Sequence, residues 1–185
     1  MGINHIGIIV SDIDKAKAFY TAALAPLGYK EKMSFQDGKV LGFGAGFAPD
    51  FWIAGLDAMS AHGSEARHTG EGQIAGVKAT DANVEKRPTG PMHIAFNASN
   101  RQHVRDFHKA AIAAGGVCNG TPGTRPVYFS TYYGAFVMDP EGRNLEAVCM
   151  KPGFWAEPWG FLGWATFGLV LGGVGAYYVQ YAGLL

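Results

Sequence analysis

Two rhythms of apolar and polar positions run through the first 151 residues, and each occurs twice. Residues 3–10 are rich in Ile and Val and read as a strand. Ala16, Phe19, Tyr20, Ala23 and Leu24 then recur at helical spacing, which predicts an amphipathic helix over 13–24. Ser11 or Asp12 can cap its start by accepting backbone N–H bonds, and Pro26 and Gly28 end it. Strands follow at 29–35, 39–44 and 51–54, with Asp37-Gly38 as a hairpin signal between the first two. The second half repeats the order. A strand at 92–98 is capped at Ser99 or Asn100, and a helix over 101–114 places Val104, Phe107, Ala111 and Ile112 on one face. Gly115-Gly116 stops it. Strands follow from Val117, within 128–138, and over 144–150, the last after an Asp139-Pro140-Glu141-Gly142 turn.

The halves are related by a fixed offset of 88 residues: His5 maps to His93, Ile6 to Ile94, Ser11 to Ser99, Phe19 to Phe107, Leu24 to Ile112 and Gly28 to Gly116. An ungapped match of this kind argues for an internal duplication. Modules of about 1–58 and 91–151 are expected, joined by a loop at 59–90 that is rich in Gly and contains His62 and His68. A short strand at 75–80 is left open. The fold class is α+β: two tandem βαβββ modules with curled mixed sheets around a cleft, plus an apolar C-terminal helix.

Charge changes this picture at one place. Lys and Arg (15) balance Asp and Glu (15), so no net field gathers nucleic acid. Beyond Lys151, however, the only charged side chain is Glu157, which sets 152–185 apart. That segment exceeds the roughly 20 apolar residues that cross a bilayer. Trp155, Trp159 and Trp164 gather at one end and Tyr177, Tyr178 and Tyr181 at the other, as in interfacial belts. Gly168-x-x-x-Gly172 would permit close helix pairing. The expectation is a transmembrane anchor with the catalytic domain facing the cytosol; the rival is a helix packed on the domain or on a partner subunit. Two cysteines, Cys118 and Cys149, are too few for a disulfide framework.

The doubled pattern, with a histidine opening the first strand of each half and Asp-Pro-Glu-Gly-Arg-Asn-Leu-Glu-Ala-Val at 139–148, resembles the vicinal oxygen chelate superfamily. That group includes glyoxalase I, extradiol ring-cleaving dioxygenases, methylmalonyl-CoA epimerase and bleomycin- or fosfomycin-resistance proteins. The resemblance covers about 1–151 and implies paired modules enclosing an open, metal-binding cavity. Alternation puts His5 on a face with Gly7 and Ile9, His93 with Ala95 and Asn97, and Glu146 with Asn144 and Val148. A glutamate within the last apolar strand is costly to bury without a partner. Two imidazoles and a divalent cation would satisfy it, so His5, His93 and Glu146 are the candidate metal ligands. This donor set is that of the Fe(II) facial triad, and Zn2+, Mn2+ or Ni2+ are alternatives. Glyoxalase- and epimerase-type members carry a fourth ligand on the last strand of the first module. Here that position falls on Trp52 or Ile53, which favours the three-ligand dioxygenase pattern.

Tyr132 and Tyr128 are the candidate proton donors. Trp52, Arg125 and Tyr133 are the candidate substrate contacts. His103 and His108 read as helix-surface residues. The resemblance implies a metal-dependent enzyme acting on a small molecule with vicinal oxygens, either by ring cleavage or by lyase or isomerase chemistry. The alternatives are a protein that sequesters a ligand in the same cavity and a metal-free isomerase or cyclase. A homodimer is allowed by the sequence.

Overall fold

In the computed structural model the described residues are 3–56, 58, 87–158 and 160–182. The expected strand at 75–80 and the loop histidines His62 and His68 lie outside them. The first module runs β1 (Ile6–Val10), α1 (Ile13–Leu24), a 3-10 turn (Ala25–Leu27), β2 (Lys30–Phe35), β3 (Val40–Gly44) and β4 (Phe51–Gly55). The second runs β5 (His93–Asn97), α2 (Arg101–Ala113), β6 (Val117–Thr124), β7 (Tyr133–Met138) and β8 (Asn144–Cys149). Each forms a four-stranded mixed sheet, in the orders β1-β4-β3-β2 and β5-β8-β7-β6. The duplication therefore survives as topology.

The helices start where the sequence supplies an acceptor. Asp12 Oδ1 takes the Lys15 N–H at 3.0 Å and Asn100 Oδ1 takes the His103 N–H at 2.9 Å, so each helix has one otherwise orphaned donor satisfied. Phe19, Tyr20 and Leu24 of α1 and Val104, Phe107 and Ala111 of α2 are buried in one core that spans both modules. Each large apolar side chain so buried stabilises the fold by about 1.5–3 kcal/mol. Aromatic edges stitch the modules together: Phe96 of β5 meets Phe51 of β4 at 5.4 Å and Tyr29 at 5.3 Å, both nearly perpendicular.

A polar clamp also crosses the junction. Arg143 is fully buried. Its Nη2 donates to Ile9 O (2.8 Å) and Glu141 Oε2 (2.7 Å), its Nη1 to Asp139 Oδ2 (2.9 Å) and its Nε to Thr89 O (3.0 Å). Tyr20 donates to the same Asp139 oxygen at 2.6 Å. Glu141 Oε1 accepts from both Ser11 N and Ser11 Oγ. The Asp-Pro-Glu-Gly-Arg stretch is thus the fastener that ties β8 to the end of β1. Gly142, at φ 84°, makes its turn in a conformation that side chains with a Cβ rarely adopt.

One expectation is narrowed and one finds no support. The strand predicted within 128–138 begins only at Tyr133, because 125–132 closes on itself: Arg125 O accepts from Tyr128 N and Phe129 N, and Phe129 O from Tyr132 N. The tail does form an apolar helix, α4 (Gly160–Tyr181), after a short α3 (Gly153–Ala156). Among the described residues, though, no helix is long and apolar enough to cross a membrane, so the transmembrane anchor is not supported. Glycines at 160, 163, 168, 172, 173 and 175, with Thr166 and Gln180, dilute the hydrophobicity that the aromatic ends suggested. Cys118 and Cys149 are both free thiols.

Candidate functional site

Parallel pairing of β5 with β8 places Ala95 opposite Glu146 and His93 opposite Asn144. Alternation then brings His93, Asn144 and Glu146 onto one face. His93 Nε2 lies 3.0 Å from Glu146 Oε2. The other carboxylate oxygen accepts from the Tyr132 hydroxyl at 2.5 Å. The Glu146 side chain is 3% exposed, whereas that of His93 is 49% exposed. A buried carboxylate is tolerated here because both oxygens are held by donors. Gly134 makes room for it, since a Cβ there would sit 2.7 Å from Glu146 Oε1. The Tyr132 hydroxyl is held well above the ordinary tyrosine pKa, first by burial and then by its bond to the Glu146 carboxylate, and so remains a proton donor.

The network extends further than the sequence indicated. Asn144 Nδ2 donates to His93 Nδ1 at 2.7 Å, and Asn119 Nδ2 donates to Asn144 Oδ1 at 3.0 Å. Five side chains from β6, β5, β8 and the 125–132 turn are therefore linked in one line. Asn144 was legible as a neighbour of Glu146 by alternation; Asn119, in a strand with shifted register, carried no such signal.

The other expected residues divide. Tyr128 lies edge-on to Tyr132 at 5.2 Å and is largely exposed, at the rim rather than against Glu146. The Arg125 guanidinium is held by Thr121 O (2.7 Å) and Thr124 O (3.2 Å) over the ring of Phe136, whose centroid is 6.1 Å from that of His93. This places a cation beside the site. Tyr133 does not face it: its ring packs under the guanidiniums of Arg101 and Arg105 of α2, which corrects the substrate-contact assignment. Trp52 lies on the sheet of the first module, stacked on Phe35 at 6.0 Å, with the outer edge of its indole against Gly42. In register it pairs with Gly7 as Glu146 pairs with Ala95, so it is the counterpart of that carboxylate and the Trp52-or-Ile53 question resolves to Trp52.

His5 is not brought to His93 and Glu146. It is exposed, its Nδ1 lies 2.8 Å from Asn4 Oδ1, and it lines an open cavity of about 220 Å³ together with Tyr29, Asp50 and Asn97. Asn97 ends β5 and His93 begins it, about 13 Å away at the rise of an extended strand. Among the described residues no group of three or more His, Cys, Asp or Glu could hold a metal ion. Within one chain two of the three expected ligands converge, and His93 Nδ1 faces an amide donor where a metal-ligating histidine ordinarily donates its second N–H. Among the described residues, the side chains around Glu146 do not by themselves make up a cation site.

The protein-family model described as Glyoxalase/Bleomycin resistance protein/Dioxygenase superfamily matches residues 2–147. No curated protein matches the chain. Among solved structures, a glyoxalase/bleomycin resistance protein from Albidiferax ferrireducens aligns with a TM-score of 0.53 at 22% identity, covering 78% of this chain and 95% of that one. A glyoxalase/bleomycin resistance protein/dioxygenase family enzyme from Burkholderia phytofirmans aligns at 0.52 and 18%, covering 80% and 98%. TioX from a Micromonospora species aligns at 0.51 and 14%, covering 82% and 100%. At these identities the structural likeness speaks for the fold.

Proposed function

The chain belongs to the Glyoxalase/Bleomycin resistance protein/Dioxygenase superfamily, and from that premise we propose that its second module binds a small molecule with neighbouring oxygens and moves a proton on it, as an isomerase or lyase does. The observation that carries this reading is the buried Glu146 carboxylate, with Tyr132 on one oxygen and the half-exposed His93 on the other. Glu146 takes a proton from the carbon beside a carbonyl, and the electron pair moves onto the carbonyl oxygen. The Tyr132 hydroxyl, kept protonated, then donates to that oxygen as it gains charge. Glu146 returns the proton at the former carbonyl carbon while the neighbouring hydroxyl gives up its own proton, which restores the Tyr132 hydroxyl, and becomes the new carbonyl. Arg125 at the rim suits an anionic end of the substrate.

A divalent-metal enzyme is the second reading, supported by the family and by the exposed imidazole of His5. It requires a second copy to supply His5, since a facial site needs three protein donors. One experiment separates the two. Full-length protein is assayed for bound metal, and then for solvent-deuterium uptake into a panel of α-ketoaldehydes and α-hydroxyketones, with catechols screened alongside. The proton-transfer reading expects deuterium uptake that survives a chelator and is lost in Glu146→Gln. Stoichiometric metal that His93→Ala removes, with activity lost alongside it, would replace this reading by the metal-dependent one. No uptake and tight binding of a panel member would leave a sequestering protein.

A further inference from the structure

We infer that Asn144, held by Asn119, decides which nitrogen of His93 carries the proton, and so turns this histidine toward hydrogen bonding with Glu146 and away from holding a cation. The inference rests on the site read above, but not on its reaction. A side-chain amide nitrogen can only donate. Asn144 Nδ2, 2.7 Å from His93 Nδ1, therefore requires Nδ1 to be the bare, accepting nitrogen of the neutral ring. The proton then resides on Nε2, 3.0 Å from a carboxylate oxygen that accepts it. Both contacts demand the same tautomer.

The amide of Asn144 cannot turn over unless Asn119, exposed on β6, turns with it. Asn119 Nδ2 donates to Asn144 Oδ1 at 3.0 Å, so a reversed Asn144 would set two amide donors against each other. Asn119 comes from β6 and Asn144 from β8, strands separated by β7 in the sheet, so the lock spans the sheet rather than a single turn. A ring that ligates a metal through Nε2 needs the opposite arrangement, with Nδ1–H donated to an acceptor. Asn144 and Asn119 are thus positioning residues that act through His93.

The test reads the tautomer directly. Two-bond 1H–15N spectra of the full-length protein distinguish Nδ1–H from Nε2–H imidazole, and the His93 signals are assigned by their loss in His93→Gln. The wild-type protein is expected to show the Nε2–H pattern. Asn144→Asp replaces the amide donor with an acceptor and is expected to move a proton onto Nδ1, and to tighten Ni2+ binding by tenfold or more, the range that outer-shell partners typically command. The backbone amide spectrum of Asn144→Asp reports whether the sheet is retained, and Asn144→Ser repeats the measurement with a smaller side chain. A wild-type Nδ1–H pattern, or a His93 spectrum and Ni2+ affinity unchanged in a folded Asn144→Asp, would overturn the inference. No substrate enters the measurement, so a failure of the proposed reaction leaves its outcome intact.

Discussion

Replacing Arg143 by Met keeps most of the side-chain volume and removes the guanidinium from a site with no solvent access. Four hydrogen bonds go with it, two to carboxylates and two to carbonyls. Breaking a buried pair by deleting one partner ordinarily costs about 3–5 kcal/mol, because the other charge is abandoned. Here the abandonment is incomplete. Asp139 keeps the Tyr20 hydroxyl and the backbone N–H groups of Glu141 and Arg143, and Glu141 keeps Ser11. Ile9 O keeps the Thr89 N–H, while Thr89 O loses the guanidinium. The expected loss is therefore at the lower end, about 3 kcal/mol, still well above the 0–1 kcal/mol of an exposed pair. With a urea slope of about 2 kcal/mol/M the midpoint falls by about 1.5 M. Arg143→Lys, with a single ammonium in place of the planar fork, should lie between the two. Urea unfolding followed by far-UV circular dichroism measures all three proteins. A midpoint drop below about 0.5 M for Arg143→Met at unchanged slope would refute the claim that this cluster fastens the modules.

The Tyr20 hydroxyl is pushed above the ordinary tyrosine range by burial first and by Asp139 second, and Tyr29 is raised by burial and Asp50. Groups raised in the folded state keep their full contribution below the unfolded value near pH 10 and lose it as pH climbs toward the folded one, so stability should be flat to about pH 10 and fall above it. Urea midpoints from pH 8 to 11.5 check this; Tyr20→Phe should flatten the fall and cost about 1.5–3 kcal/mol at neutral pH through the lost bond to a carboxylate. Gly42→Ala would put a Cβ 2.8 Å from the Trp52 ring and 2.9 Å from Pro49, so the indole must shift; a changed tryptophan emission with retained sheet content is the expected result. Asn100→Ala removes the acceptor at the start of α2 and should lower stability by about 0.5–2 kcal/mol, read from the same urea curves.

How much of this was legible in the sequence depends on which distances decide each feature. Periodicity alone gave both helices to within a residue, because the buried stripes Phe19-Tyr20-Leu24 and Val104-Phe107-Ala111 are local. The 125–132 turn was missed because its Tyr- and Phe-rich sequence has high strand propensity, and turn hydrogen bonds outweighed it. The tail reads two ways: its aromatic ends resemble interfacial belts, but its interior is thick with glycine. At the candidate site, alternation put His93 and Glu146 each on a definite strand face, and strand pairing brought those faces together.

His5 lies apart from the Glu146 network for a reason that the duplication itself contains. Two equivalent halves give two equivalent faces, each with its own first-strand histidine. When β1 and β5 meet at the module junction, the start of one lies beside the end of the other: His5 shares a cavity with Asn97, while Arg143, next to His93's partner Asn144, reaches Ile9. Equivalence in sequence therefore gives each half its own histidine, and within the chain His5 lines a cavity with Ala95 and Asn97 while His93 bonds Glu146. The halves then diverge at one pair of positions, where Trp52 fills the place that Glu146 holds in the other sheet. One face keeps a carboxylate with donors on both oxygens, and the other presents an indole stacked on Phe35. The proposed proton transfer falls to the second module because, of these two equivalent strand positions, the one held by Glu146 can take up a proton and the one held by Trp52 cannot.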